Sequence, residues 1–174
     1  MKARITNNPP PKKNWFDNFD FSIPAKPFAS DEEFWKALDD VAQKKQDFET
    51  TRQFIHLLKK GYVEERSILI LGVEGLYEEG KINQSCLCGD GKKAMLYFTD
   101  EKYAVTLNTF SVVAKQPQCL SVYIRDVIDN ALDKDEITSL IFNHNSEHEV
   151  VIPKLLLSVV FEGVRELLSA AEDM

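Results

Sequence analysis

The chain has 174 residues, 44% of them hydrophobic and 28% charged, with a formal net charge of -7. That is enough sequence to bury one sizeable core and too little for two full domains. The negative mean field works against nonspecific binding to nucleic-acid phosphates or anionic membranes, and the lysine pairs at 12–13, 44–45, 59–60 and 92–93 are not interleaved with stacking aromatics, so neither nucleic acid nor a membrane is expected as a partner.

Met1, Lys2, Ala3, Arg4 and Ile5 carry positive charge but lead into Thr6, Asn7, Asn8 and three prolines, where a secretory signal needs an apolar stretch. The longest apolar run, near the C-terminus, is interrupted by Glu162 and Arg165 before it reaches the roughly 20 residues of a membrane span. A cytoplasmic location is expected, and with it reduced thiols at Cys86, Cys88 and Cys119. Residues 1–29 are rich in Pro, Asn and Lys yet contain Trp15, Phe16, Phe19, Phe21 and Phe28, unlike a purely solvating tail. Such an aromatic arm either straps over the chain's own core or engages a second chain. The domain proper is then 30–174.

Ser30, Asp31, Glu32 and Glu33 form a capping-box start, and Phe34, Leu38, Val41 and Ala42 recur at helical spacing, predicting an amphipathic helix to about residue 46. A second helix from about residue 49 presents Thr51, Phe54, Ile55 and Leu58, with Gly61 read as its stop after Lys59 and Lys60. The apolar run 68–73 is short and β-branched, as an inner strand should be. Residues 82–88 and 93–98 flank Gly89, Asp90 and Gly91, which supply the positive φ angles of a hairpin turn. Residues 100–108 are ambiguous, because Asp100, Glu101 and Lys102 suit a helix start whereas Tyr103, Val105 and Thr106 suit a strand; a short helix is the favoured reading, in part from a family resemblance carried by residues 94–104. Leu120, Tyr123, Ile124, Val127, Ile128 and Ala131 make an i, i+3, i+4, i+7 stripe and predict a helix across all of them. Residues 137–142 and 149–152 read as strands about a polar turn, and Pro153 as the first residue of a final helix. That helix is apolar nearly all round up to Arg165 and Glu166, so it is expected to be buried on more than one side.

Three groupings resemble chemistry. Residues 75–81 spell G-x-x-x-x-G-K after a predicted strand, but Ile82 stands where a magnesium-binding hydroxyl belongs, Glu78 and Glu79 would repel phosphates, and the chain continues as strand; a glycine-punctuated turn is the better reading. His144, Asn145, Ser146, Glu147 and His148 match H-x-x-E-H, a pattern that needs a helix to bring both imidazoles to one metal. Here turn-forming residues surround it between two strands, so a solvated turn is expected. Cys86 and Cys88 share one face of a predicted strand, and structural zinc normally wants four ligands and C-x-x-C spacing, so the cysteines read as small buried hydrophobes. His56 lies beside the apolar face of the second helix and reads as a packed residue.

The stretch 94–104, AMLYFTDEKYA, together with Leu140, Ile141 and Phe142 halting at Asn143 and the final helical pattern, resembles the N-terminal domain of the SseB-like proteins, a bacterial family, over residues 30–165. The resemblance implies an α+β architecture and no catalytic residues, and some relatives are linked to secretion. The expected fold is a single α+β domain whose central sheet, mostly antiparallel or mixed, includes a β-hairpin and is flanked by four to five helices. The expected function is a non-catalytic protein-interaction domain, regulatory or secretion-associated, with no cofactor and with a protein partner or a second copy of itself. Trp15, Phe16, Phe19, Phe21 and Phe28 of the arm and Val160, Phe161 and Val164 of the final helix are the candidate partner-binding residues. The alternative is a small hydrolase or metal-dependent enzyme, which requires the three cysteines and the histidines to converge.

Overall fold

The structure, a computed structural model, describes residues 28–44, 47–74, 82–105 and 118–172. Helix α1 (Asp31–Ala42) begins as its sequence dictates: Ser30 is extended, its Oγ accepts from Glu33 N at 3.2 Å, and the Glu33 carboxylate reaches back to Ala29 N at 2.8 Å. It ends at Ala42, four residues short of the predicted end, because Asp47 is itself a cap. The Asp47 carboxylate accepts from Thr50 N at 2.8 Å and opens α2 (Phe48–Val63). Gly61 does not stop α2. It lies inside the helix, where an added β-carbon would stand 2.6 Å from Phe34 Cζ, so the glycine is there to let α1 and α2 approach. The stop is a left-handed Glu65 (φ 54°), with Arg66 N donating to Gly61 O at 2.8 Å and Glu64 N to Lys60 O at 2.9 Å.

Among the described residues seven strands follow: β1 (Ser67–Glu74), β2 (Ile82–Gln84), β3 (Cys86–Gly89), β4 (Lys92–Tyr97), β5 (Gln118–Tyr123), β6 (Ile137–Phe142) and β7 (Val150–Pro153). They form two ladders, β2-β1-β5 and β3-β4-β6-β7. The ladders are joined where Leu69 and Phe98 exchange both backbone bonds, at 3.2 and 2.9 Å. Ser85 completes the join: its N–H donates to Leu71 O at 2.8 Å, and its carbonyl accepts from Leu96 N at 3.2 Å. Hence the predicted strand 82–88 breaks at Ser85. Its first half pairs with β1 and only its second half makes the hairpin with β4, through a tight turn at Asp90 (φ 49°) and Gly91 (φ 73°). Among the described residues all pairings are antiparallel except β4 with β6, so the three-stranded ladder is antiparallel, the four-stranded one is mixed, and the fold is α+β.

The remaining helices are α3 (Glu101–Val105), α4 (Ile124–Asp133) and α5 (Lys154–Glu172). The expected short helix after residue 100 is α3. The helix predicted from Leu120 starts only at Ile124, because 118–123 pair residue for residue with Ser67–Gly72; long-range ladder bonds override the local stripe. Pro153 is the last residue of β7, opposite Ser139, and not the first of α5. An edge strand accommodates a residue with no N–H to donate.

Alternation along the strands divides the interior. Ile68, Ile70, Met95, Tyr97, Leu140, Phe142, Val150 and Ile152 face a core built with α1, α2, α4 and α5, where the Phe54 and Phe142 rings meet edge-on at 4.9 Å. Leu69, Leu71, Leu96, Phe98 and Ile141 face the other side, against Tyr103 and Ala104 of α3. Two apolar faces explain why β1 reads as an unbroken apolar run. α5, expected to be buried on more than one side, buries one stripe, Leu157, Val160, Phe161 and Val164, and leaves Leu155, Val159 and Leu167 in solvent. Among the described residues no helix is long and apolar enough to cross a membrane.

Candidate functional site

The carboxyl ends of the parallel strands β4 and β6 lie side by side, the place where open sheets with parallel strands gather ligands. Asn143, left-handed (φ 55°) and fully buried, ties the two ends together. Its N–H donates to Tyr97 O at 2.8 Å, its Oδ1 accepts from Thr99 N at 2.9 Å and its Nδ2 donates to Thr99 Oγ1 at 2.9 Å. On this support rests a groove of about 640 Å³ between α1 and the start of α3, lined by Trp35, Asp39, Leu69 and Lys102 among others. The indole of Trp35 donates to Ser67 O and the Ser67 hydroxyl donates to the Asp31 carboxylate at 2.8 Å, fixing α1 across the start of β1.

Asp39 is the hub of the groove. It accepts from the Tyr103 hydroxyl at 2.8 Å, with Lys102 Nζ and His148 Nδ1 each at 3.9 Å. The His148 ring lies 5.4 Å from that of Tyr103. Burial, reinforced by the bond to Asp39, pushes the Tyr103 phenol up to about 12, and bonds to Tyr103 and Asp100 raise the Lys102 ammonium. Both therefore keep their protons at neutral pH. A nucleophile or general base needs the opposite adjustment, a proton that leaves near pH 7. This is an arrangement of donors around one carboxylate, suited to holding α1, α3 and the 143–149 turn together.

The H-x-x-E-H residues sit on that turn, with Asn143 and Asn145 left-handed, and the two imidazoles part company. His144 Nδ1 meets Glu149 Oε2 at 2.7 Å, whereas His148 turns inward toward Asp39 and Tyr103. The expectation of a solvated turn is corrected at His148, whose side chain is only 14% exposed and whose Nδ1 is buried without a hydrogen-bond partner. His56 is half-buried on α2. The glycine-lysine motif at 75–81 lies outside the described residues, and the chain resumes at Ile82 as strand. Cys86 and Cys88 share a face with their sulfurs 3.2 Å apart, but Cys88, beside the hairpin turn, is exposed, which corrects its reading as a buried small hydrophobe. Cys119 packs on the opposite side of the sheet, beside the Leu69 and Leu96 cluster, whereas Cys86 packs against the main core. The convergence of cysteines and histidines required by an enzyme is not found, and among the described residues no three side chains of metal-ligating type gather.

Of the candidate partner-binding residues, Trp15, Phe16, Phe19 and Phe21 lie outside the described residues. Phe28 is half-buried, its ring edge-on to Phe34 at 5.4 Å and its carbonyl accepting from the Arg66 guanidinium, so this end of the arm is fastened to the chain's own core. Val160, Phe161 and Val164 are corrected: they lie in that core, Phe161 packing against Tyr62 at 5.4 Å, and cannot face a partner. What α5 presents instead is Leu155, 78% exposed, Val159, 47%, and Leu167, 75%. With Gly163 these positions run i, i+4, i+8, i+12, one continuous ridge. A β-carbon on Gly163 would meet nothing within 4 Å. Exposed Glu162 and Glu166 border the ridge. Composition hid this surface: apolar residues surround the helix, and its packing on the core, Phe161 against Tyr62 included, decides which stripe turns inward.

No family model, curated protein or solved structure matches the chain.

Proposed function

We propose that this chain is a cytoplasmic, non-catalytic protein-interaction domain of the SseB-like kind, which docks a helix of another protein on the solvent face of α5. The observation that carries this reading is the ridge of Leu155, Val159, Gly163 and Leu167. Burying a leucine contributes roughly 1.5 to 3 kcal/mol, so two leucines and a valine left in water hold several kcal/mol available to a partner. Glycine inside a helix costs about 1 kcal/mol relative to alanine, and nothing among the described residues approaches Gly163 closely enough to require it. A partner helix crossing there would. Charge selects the partner: Glu162 and Glu166 beside the ridge, on a chain of net charge -7, favour an apolar helix face flanked by Lys or Arg, whereas a second copy would bring like charges together.

The resemblance over residues 30–165 supports a bacterial, regulatory or secretion-associated setting. The groove at Asp39 supports a non-catalytic reading in that Tyr103 and Lys102 hold their protons there, and neither is adjusted to act as a nucleophile or general base at neutral pH. The test is affinity capture from the native cell with the wild-type chain and with Leu155→Glu/Leu167→Glu. Both should show the same circular dichroism and thermal midpoint, since both side chains stand in water. The partner held by the wild type should be lost by the variant. Equal capture by both, or wild-type self-association in light scattering that the variant abolishes, would exclude the proposed partner.

A further inference from the structure

Among the described residues β3 is an edge strand, paired on one side only, and it carries Cys86 and Cys88 on the same face. Residues two apart on a strand rise about 6.6 Å, yet here the sulfurs lean together to 3.2 Å. Cys88 is exposed and Cys86 is half-buried against the main core. Lys93 stands directly across from Cys88 in the hairpin register. Cys119 lies on the other side of the sheet and does not compete.

We propose that Cys86 and Cys88 form a thiol–disulfide exchange site that closes reversibly to an intramolecular disulfide by reaction with a small-molecule disulfide. The exposed Cys88 releases its proton to solvent and its sulfur attacks one sulfur of the incoming disulfide; that S–S bond breaks and the first small thiol leaves, taking a proton from solvent. Cys86 then loses its proton and attacks Cys88 Sγ. The bond to the second small thiol breaks, and it departs likewise. The protein dithiol is oxidised by two electrons, and one small disulfide becomes two thiols.

The order follows from the surroundings. Burial, together with the bond to Cys88, pushes the Cys86 thiol up to about 11, so Cys86 keeps its proton and enters second. Closure must bring the β-carbons to about 3.5–4.5 Å, closer than a regular strand allows. An edge strand next to a two-residue turn can pucker to permit this, and the resulting strain leaves the disulfide easily reduced. In a reducing compartment the site rests as the dithiol and its oxidised form is transient.

The experiment incubates the wild-type protein with oxidised glutathione, quenches with acid, alkylates, digests and maps the peptides by mass. The peptide spanning residues 86–88 should have lost two hydrogens and carry no alkyl label, with recovery on adding reduced glutathione. Cys86→Ser should halt with one glutathione on Cys88, and Cys88→Ser should react at Cys86 at least about tenfold more slowly. The proposal is overturned if the wild type retains separate glutathione adducts on the two cysteines, if the linkage joins two chains, if neither thiol reacts, or if the two single variants react equally fast.

Discussion

Gly61 shows how one atom decides the approach of two helices. Gly61→Ala places a methyl 2.6 Å from Phe34 Cζ, against a ring that is fully buried and also held by Phe28. Overpacking of this kind costs about 1 to 3 kcal/mol and exceeds the gain in helix propensity of about 1 kcal/mol. A lowered urea midpoint with an unchanged slope is the expected result. Tyr62, Tyr97 and Tyr103 make a second prediction. Each is pushed from 10 up to about 12, chiefly by burial. A raised folded-state value means that the folded chain holds these protons more tightly than the unfolded chain. Their contribution is therefore complete below about pH 10 and is lost as pH rises toward 12. Urea midpoints measured across that window should fall steeply, and Tyr97→Phe should flatten part of the fall.

Elements were legible where local chemistry is decisive and illegible where distant pairing wins. Ser30 and Glu33 specified the start of α1, and Asp90 with Gly91 specified the hairpin turn, because both depend on residues adjacent in sequence. The helical stripe through Leu120 and Tyr123 misled, since their backbone belongs to a ladder with β1 that only the folded chain assembles. Ser85 was invisible for the same reason: its role is to hand one strand from β1 to β4. The groove at Asp39 was missed, as Asp39, Tyr103 and His148 are far apart in sequence, and the only motif among them, the H-x-x-E-H that ends at His148, points to a metal and not to Asp39. The signal that could have drawn attention to it was Asn143, a residue tolerant of the left-handed conformation, at the end of an apolar strand. Hydrogen exchange tests the ladder assignment: amides of β4 and β6, flanked on both sides, should exchange more slowly than those of the edge strands β3 and β7. Equal exchange across all four would break the proposed order.

At the scale of the whole molecule, a mixed sheet is packed on both faces, its largest core lies under four helices, and the last of these keeps an apolar ridge in solvent. We propose that this ridge, and not the groove or the 143–149 turn, meets the partner. Photo-crosslinking in the native cell tests it directly, with the reactive side chain introduced at Leu167 and, separately, at Glu147, which is exposed on the 143–149 turn. The account predicts a discrete adduct with another protein from position 167 and none from 147. No adduct from 167, or the same adduct from both positions, would contradict it.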